Sequence, residues 1–350
     1  YCSGGPRAMI VVTGGAGFIG SNLISALNAA GENEIILVDD LTDTAKIPNI
    51  NDLRISDYLD KEDFRNVLRK SGLPVGIRTV FHQGACSDTM VSDGQYVMDA
   101  NYDYSKTVLH ACSDSGTPLI YASSASVYGR EGPFVESVEN ERPLNAYAFS
   151  KTLFDRYAFA KGRRPSSQLV GLRYFNVYGP REGHKGRMAS VAWHLTHQYF
   201  EDGTVQLFDG SDGYGAGEQR RDFIHVDDAV RANLFFLQNA DKSGVFNVGT
   251  GRARSFNDVA LAVINACRQV DGDAPLTLKE AQQDGRLGYF SMPDALQGKY
   301  QSFTEAGIEK LVSAGCSGPW KDVEEGVGDY AADLYATLRR GGGQASARSE

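Results

Sequence analysis

Tyr147 and Lys151, in the stretch Asn145-Ala-Tyr147-Ala-Phe-Ser-Lys151, are the residues of this chain best suited to moving a proton. On a helix, side chains four residues apart stack on one face. A free phenol titrates near ~10 and is a poor base at neutral pH. An ammonium held beside it favours the phenolate and lowers that value. Such a pair can take a proton from an alcohol at pH 7, as removal of a hydride from a carbinol carbon requires. Alone, Y-x-x-x-K equally describes a solvated helix face, so its meaning depends on what lies upstream.

Ala8-Met-Ile-Val-Val-Thr13 is a short apolar run, followed at once by Gly14-Gly-Ala-Gly17-Phe18-Ile19-Gly20 and a helical pattern from Phe18 to about Ala30. Strand, glycine turn and helix in that order make a dinucleotide-binding pattern. Gly14 allows the tight turn, Gly17 lets backbone approach a pyrophosphate, and Gly20 lets helix and strand pack closely. Glu34 to Asp40 reads as a second strand ending in acid, where a carboxylate accepts from a ribose 2′-hydroxyl and favours NAD. Lys46 and Lys61 follow and suit a 2′-phosphate, so these residues leave NAD and NADP both open. A fourth strand runs into the small-residue loop Gln83-Gly84-Ala85-Cys86-Ser87, whose backbone can pass close to a cofactor. A fifth ends in Ser123 and Ser124. Ligands of a doubly wound sheet sit at the carboxyl ends of its strands, which puts Ser124 in reach of a substrate. The other reading of those hydroxyls is turn capping.

The elements that position these residues alternate strand and helix for the first ~180 residues, which predicts a Rossmann-like, doubly wound parallel sheet of the α/β class. Strand three is expected to end at Ile55–Asp57, and one long helix to cover Gln95 to Ser115. Past strand six, Phe175 to Met188 is polar and glycine-bearing, and Pro180 bars a helix there, so it reads as a binding loop. Ser255 should cap an amphipathic helix, and two C-terminal helices are expected near Thr304–Ala314 and Trp320–Leu338. The expected organisation is a dinucleotide-binding domain over residues 9–180, completed by 222–250. A smaller mixed substrate domain then takes residues 181–221 and 251–338. Residues 1–8 read as a disordered extension or tag, and 339–350 as a flexible tail.

Composition narrows the function classes. The chain has 350 residues, 35 Lys and Arg against 44 Asp and Glu, and a net charge of −9, a balance that argues against a nucleic-acid coat. Five scattered cysteines without C-x-x-C suit a reducing cytosol. His194 and His197 lie at i, i+3 with no third ligand in view, so no metal site is expected. No apolar run approaches the ~20 residues of a membrane span and no signal peptide is read at the start, giving a cytoplasmic expectation with no membrane partner.

Thr13-Gly-Gly-x-Gly-x-x-Gly20, Ser123-Ser-Ala with Tyr128-Gly behind it, and Tyr147-x-x-x-Lys151 together resemble the extended short-chain dehydrogenase/reductases acting on nucleotide sugars. Within that group the chain is similar to the ADP-L-glycero-D-manno-heptose 6-epimerases from about Met9 to Leu338. The likeness runs through Phe81-His-Gln-Gly-Ala-Cys-Ser87, Arg173 to Val191, Arg221-Asp-Phe, Phe246 to Ala253 and Gly298 to Thr304. Its most specific part is Glu182-Gly-His-Lys-Gly186, which relatives acting on hexoses lack.

That resemblance implies inversion of an ADP-heptose at C6 with tightly held NADP, a step toward the lipopolysaccharide inner core. It makes Tyr147 and Lys185 the two acid/base groups, with Ser124 and Lys151 in support. It places cofactor contacts at Gly14, Gly17, Phe18, Ile19, Gly20, Asp39, Asp40, Lys46, Lys61, Gln83 to Ser87, Lys151, Val177 and Lys185. Ala100 stands where some members carry a cofactor-contacting asparagine, and Asn101 beside it is taken in its place. Substrate contacts fall at Ser124, Asn176, Arg187, His194, Phe208, Asp209, Gly210, Ser211, Arg221 and Tyr300. Members form homo-oligomers, often pentamers.

Two other functions deserve weighing. A nucleotide-sugar 4,6-dehydratase wants Asp and Glu after the strand-five hydroxyl, and Ser124-Ala-Ser disfavours it. A non-catalytic dinucleotide sensor can dispense with the Tyr–Lys pair, which is present here.

Overall fold

The structure, a computed structural model, describes residues 8–161, 166–292 and 301–346. The chain begins β1 (Met9–Thr13), α1 (Phe18–Ala29), β2 (Ile35–Asp39), β3 (Asp57–Asp60), α2 (Lys61–Ser71) and β4 (Ile77–His82). It continues α3 (Gly94–Met98), α4 (Tyr104–Ser115), β5 (Leu119–Ser124), α5 (Ala146–Ala158), β6 (Leu169–Tyr174), β7 (Asn176–Tyr178), α6 (Val191–Asp202) and β8 (Val205–Phe208). Then come β9 (Arg220–His225), α7 (Val226–Gln238), β10 (Gly244–Val248), β11 (Ala253–Ser255) and α8 (Phe256–Asp271). The last elements are α9 (Leu278–Gln283), β12 (Leu287–Phe290), α10 (Glu309–Ser313) and α11 (Val323–Ser346).

Two compact units divide the chain. One holds everything to Tyr174 with Ala229–Val248 and Gly307–Ser317; the other holds Phe175–Asp228, Gly249–Ala306 and the residues from Gly318 onward. The first unit is built on a seven-stranded sheet in the order β10-β6-β5-β4-β1-β2-β3, parallel throughout. Strand order reverses between β1 and β4, so the crevice beyond their carboxyl ends is where such a sheet takes a ligand. Ile10, Val11 and Val12 of β1, and Ile35 to Val38 of β2, are buried on both faces. That burial explains why these strands read as unbroken apolar runs. Val11, Val38 and Val80 pack in one core with Phe64 and Leu68 of α2, Val108 of α4 and Phe154 of α5.

The second unit is mixed. β7 and β9 pair parallel, β9 and β11 antiparallel, and β8 with β12 parallel as a separate ribbon. Its core gathers Leu195 and Tyr199 of α6, Leu207, Phe223, Val259 and Val263 of α8, and Val327 of α11. As expected, α8 opens on Ser255, here in a capping box with Asp258.

Four elements differ from the sequence expectation. β3 begins at Asp57 instead of ending there, as an exposed acidic edge strand whose last residue, Asp60, caps α2 through the Glu62 N–H. The long helix over Gln95–Ser115 is α3 and α4 joined by a π-helical turn at Asp99–Asp103, a wider turn that lodges Asn101 in the interior. The helix expected from Thr304 starts only at Glu309, because Ser302 and Thr304 run extended beside β9. There the Arg220 N–H bonds the Ser302 carbonyl and the Thr304 N–H bonds the Arg220 carbonyl. α11 continues past Leu338 to Ser346. Among the described residues, no helix is long and apolar enough to cross a membrane.

An ionic cluster is sealed inside the first unit. The Arg173 guanidinium meets Asp155 at 2.9 Å, the Tyr128 hydroxyl at 3.0 Å, and Glu141; all three charged residues are buried. Tyr121 and Ser123 each donate to Asp155 at 2.8 Å, so the cluster joins β5, β6 and α5. Arg173 is the cation that both buried carboxylates share, and its removal leaves Asp155 with no cationic partner among the described residues. Arg173→Met should therefore lower the unfolding free energy by about 3–5 kcal/mol in a urea titration. Asp103→Ala, which removes an exposed i, i+3 pair with Lys106, should cost under about 1 kcal/mol.

Candidate active site

The turn after β1 is the tightest packing in the first unit. Gly14 has φ +67°, and a Cβ there would lie 2.5 Å from the Gly84 nitrogen. A Cβ on Gly20 would lie 2.1 Å from the Gly14 carbonyl oxygen. Only glycine lets the β1 turn, α1 and the loop after β4 share this space. Gly17 occupies the N-cap of α1, with no side-chain cap and no acid in the first turn. The positive end of that helix is thus presented without a carboxylate of its own, which fits the pyrophosphate of a dinucleotide. Phe18 is buried and Ile19 half-buried in the same turn.

At the end of β2, Asp39 accepts the Ala16 N–H at 2.8 Å and the Lys46 amine at 2.9 Å. It braces the glycine turn itself. Asp40 receives Lys61 at 2.8 Å, and that bond holds its carboxyl well below the usual carboxylate range. The two acids and two lysines expected here are brought together as matched pairs.

Behind the Gln83–Ser87 loop, the fully buried Asn101 accepts the Cys86 N–H at 2.7 Å. Its amide donates to the Cys86 carbonyl and to Ser150 Oγ, each at 3.0 Å. Taken from sequence as a cofactor contact, Asn101 has both ends of its amide turned into the protein and supports the loop instead. Gln83 likewise bonds Asn233 at 3.1 Å and accepts the Tyr174 hydroxyl at 3.0 Å. Gly84 donates to Thr13 Oγ1 at 3.2 Å, while Ala85 and Ser87 are exposed and Cys86 is half-buried.

α5 starts at Asn145, whose side chain accepts the Ala148 N–H. It carries Tyr147 toward Ser124, whose hydroxyl pulls the phenol's pKa down. Ser124 Oγ also accepts from Ser126 N–H at 3.2 Å and Oγ at 2.9 Å, so its capping reading holds as well. Lys151, one turn on, is buried and donates to the Ala122 carbonyl at 2.9 Å. Burial brings its pKa down to about 8, with Asp155 one further turn along α5 opposing the fall. Tyr147 corrects the sequence expectation. Burial pushes its phenol up, Ser124 pulls it down, and the lysine, turned to Ala122, does not lower it.

The remaining expected residues belong to the second unit. Asn176 and Val177 lie on β7, the first exposed and the second half-buried. Lys185 sits in a 3-10 turn over Gly183–Met188, and burial lowers its pKa while Glu182 opposes. Arg187 is exposed, and its carbonyl lies 3.4 Å from His194 Nε2. Phe208 packs against Phe290 with ring centroids 5.0 Å apart. Gln219, buried, donates to the Asp209 carbonyl at 2.8 Å and Ser211 Oγ at 3.0 Å, which bridges the turn at exposed Gly210. Arg221 is buried with its guanidinium 5.8 Å from the Phe256 ring centroid. Tyr300 lies outside the described residues. Among them, no group of three or more His, Cys, Asp or Glu side chains could hold a metal ion.

The chain matches the NAD dependent epimerase/dehydratase family over residues 10–249. It belongs to that family. A nicotinamide dinucleotide is the family's cofactor, and the glycine turn fits one. The ADP-L-glycero-D-manno-heptose-6-epimerase of Thiobacillus denitrificans is 54% identical over 320 residues, covering 91% of this chain and 96% of that protein. The crystal structure of the Helicobacter pylori ADP-L-glycero-D-manno-heptose-6-epimerase aligns with TM-score 0.77 and 30% identity, over 95% of this chain and 97% of that one. Thermus thermophilus UDP-glucose 4-epimerase in complex with NAD aligns with TM-score 0.72 and 27% identity, over 94% and 99%.

Two supporting residues escaped the sequence reading. Asp155 had a signal, standing four residues past Lys151 on the same helix face. Gln219 had none, since it follows a glycine-rich run that reads only as turn.

Gly20→Ala should release bound nucleotide and lower the melting temperature, read by absorbance of the purified protein and by thermal unfolding. Lys151 yields a pH signature. Below about 8 the folded and unfolded chains both hold its proton; between about 8 and 10.5 only the unfolded chain does. Stability contributed by this site therefore rises with pH across that window. The stability difference between the native chain and Lys151→Met, followed by urea titration, should move in favour of the native chain over the same range.

Proposed function

We propose that this chain interconverts ADP-D-glycero-β-D-manno-heptose and ADP-L-glycero-β-D-manno-heptose by transient oxidation at C6, as an NADP-dependent isomerase of lipopolysaccharide core-heptose biosynthesis. The likeness to the Thiobacillus enzyme along nearly the whole of both chains carries the choice of substrate. The approach of Tyr147 to Ser124 at the end of β5, where Ser124 lowers the phenol's pKa, supports the chemistry.

The C6–H of a carbinol is not acidic, so inversion there cannot proceed by deprotonation alone. A bound nicotinamide supplies reversible hydride transfer. Tyr147 handles the hydroxyl proton on one face of C6, and Ser124 stabilises the oxygen as charge develops. C6 is exocyclic, so rotation about one bond would present its other face to the same bound nicotinamide. The oxygen then occupies a second position, which calls for a second acid/base group. Lys185 suits that task because burial lowers its pKa and makes the neutral amine accessible. Lys46 and Lys61 are assigned to a 2′-phosphate, which favours NADP over NAD. In this reading the first unit binds the dinucleotide and the second the sugar nucleotide, through Asn176, Arg187, His194, Phe208 to Ser211, Arg221 and Tyr300. A cytoplasmic homo-oligomer, a pentamer, belongs to the same reading.

Tyr147→Phe and Lys185→Met should each lower turnover of the ADP-heptose pair by about 10²–10⁴-fold while retaining nucleotide. Product formed in deuterium oxide should carry no deuterium at C6. The nucleotide released on denaturation should have the mass of NADP or NADPH; full activity in both variants removes the proposal.

A further inference from the structure

We propose that Glu182 is the positioning residue for Lys185: its buried carboxylate ties together the two ends of the 179–190 loop and so fixes where the amine stands. The inference rests on the role given to Lys185 above.

Glu182 is fully buried. The Gly179 N–H donates to its Oε1 at 3.2 Å, the Ser190 hydroxyl to Oε1 at 2.7 Å and the Ser190 N–H to Oε2 at 2.5 Å. Three donors thus occupy most of the roughly four acceptor sites that a carboxylate offers. They come from before the loop and after it. Tyr330 of α11 faces the same carboxylate, and burial and that charge push its phenol up. The Glu182 carbonyl also accepts the Lys185 N–H at 2.9 Å, so the residue that closes the loop also starts the turn bearing the amine.

Gly179 stands at φ +141°, Arg181 at +70° and Gly186 at +51°. A non-glycine residue in that region is strained, and it persists only where its surroundings hold it. Burying a carboxylate is itself costly unless hydrogen bonds compensate. A surface glutamate would serve a loop with no positional task equally well. The charge has a second effect, since it opposes the burial that discharges Lys185. Arg181, His184 and Arg187 are the other titratable groups of the loop, Tyr330 faces it from α11, and His194 reaches the Arg187 carbonyl from α6.

The test uses the nucleotide-loaded full chain. Glu182→Gln replaces one acceptor oxygen with an NH₂, so at least one of the Gly179 and Ser190 donors faces a donor. The readouts are kcat and KM for the ADP-heptose, thermal unfolding, and the pH midpoint of Lys185 acetylation by acetic anhydride, quantified by peptide mass spectrometry. The expected result is a kcat lower by about 100-fold, as for a misplaced catalytic group. KM should change little, and the Lys185 labelling midpoint should move to lower pH. A folded Glu182→Gln protein with native kcat and native labelling midpoint overturns the proposal. Should that variant fail to fold, Ser190→Ala removes one of the three donors. Reduced kcat at unchanged KM then supports the clamp, and native kcat with a native midpoint overturns it. Full turnover by Lys185→Met would instead refute the catalytic role of Lys185, while the labelling midpoint in Glu182→Gln still decides whether Glu182 governs that amine.

Discussion

The contact between the Gly14–Gly20 turn and Gly84 is the constraint on which the first unit depends. Three backbones meet there at distances that forbid a single Cβ, and they meet where the strand order reverses. Asp39 holds the turn from one side through Ala16, and Thr13 holds the Gly84 loop from the other. An anion at the start of α1 therefore meets backbone donors that are already in place. Organising those donors need not be charged against binding, which is how preorganisation raises affinity.

Behind that surface runs a continuous buried polar layer. Thr13 Oγ1 lies 2.6 Å from His82 Nδ1, His82 Nε2 lies 2.9 Å from Ser105 Oγ, and Ser105 donates to the Asn101 carbonyl at 2.5 Å. Asn101 bonds Ser150, and Ser150 donates to the Tyr147 carbonyl at 2.7 Å. Burial brings the His82 pKa down to about 3, so the imidazole stays neutral and serves as one donor and one acceptor. The glycine turn and the helix that carries Tyr147 are thereby registered through buried side chains. In a low-dielectric interior a chain of this kind holds firmly when every member is satisfied and fails when one is not.

How much of this was legible in the sequence follows from whether the signal was local. The glycine turn, the Tyr147–Lys151 spacing, the Ser255 cap and the apolar strands are set by neighbours along the chain, and all appear where their patterns put them. Strand three was misplaced because an acidic edge strand has no apolar run to mark it. The π-helical turn was invisible because its cause is tertiary: Asn101 is drawn inward to Cys86 and Ser150, and the helix widens to let it. The phenol's pKa was misjudged for a related reason. Spacing places Lys151 on the right face of α5 but does not say that its amine turns to Ala122.

The two lysines show one device built twice. Each amine is discharged in part by burial, and each is countered by a carboxylate close to it along the chain: Asp155 for Lys151, Glu182 for Lys185. The counterions are held differently. Asp155 is paired with Arg173, and burial outweighs it so that Lys151 falls to about 8. Glu182 is held by N–H and O–H dipoles, which stabilise a charge without cancelling it. A lysine that only needs to lend positive charge tolerates a shared counterion, whereas one that must both take and return a proton needs its two protonation states close in energy. For Lys185 it is burial that brings the two states closer, and the carboxylate beside it limits how far that goes while the amine stays anchored to its turn.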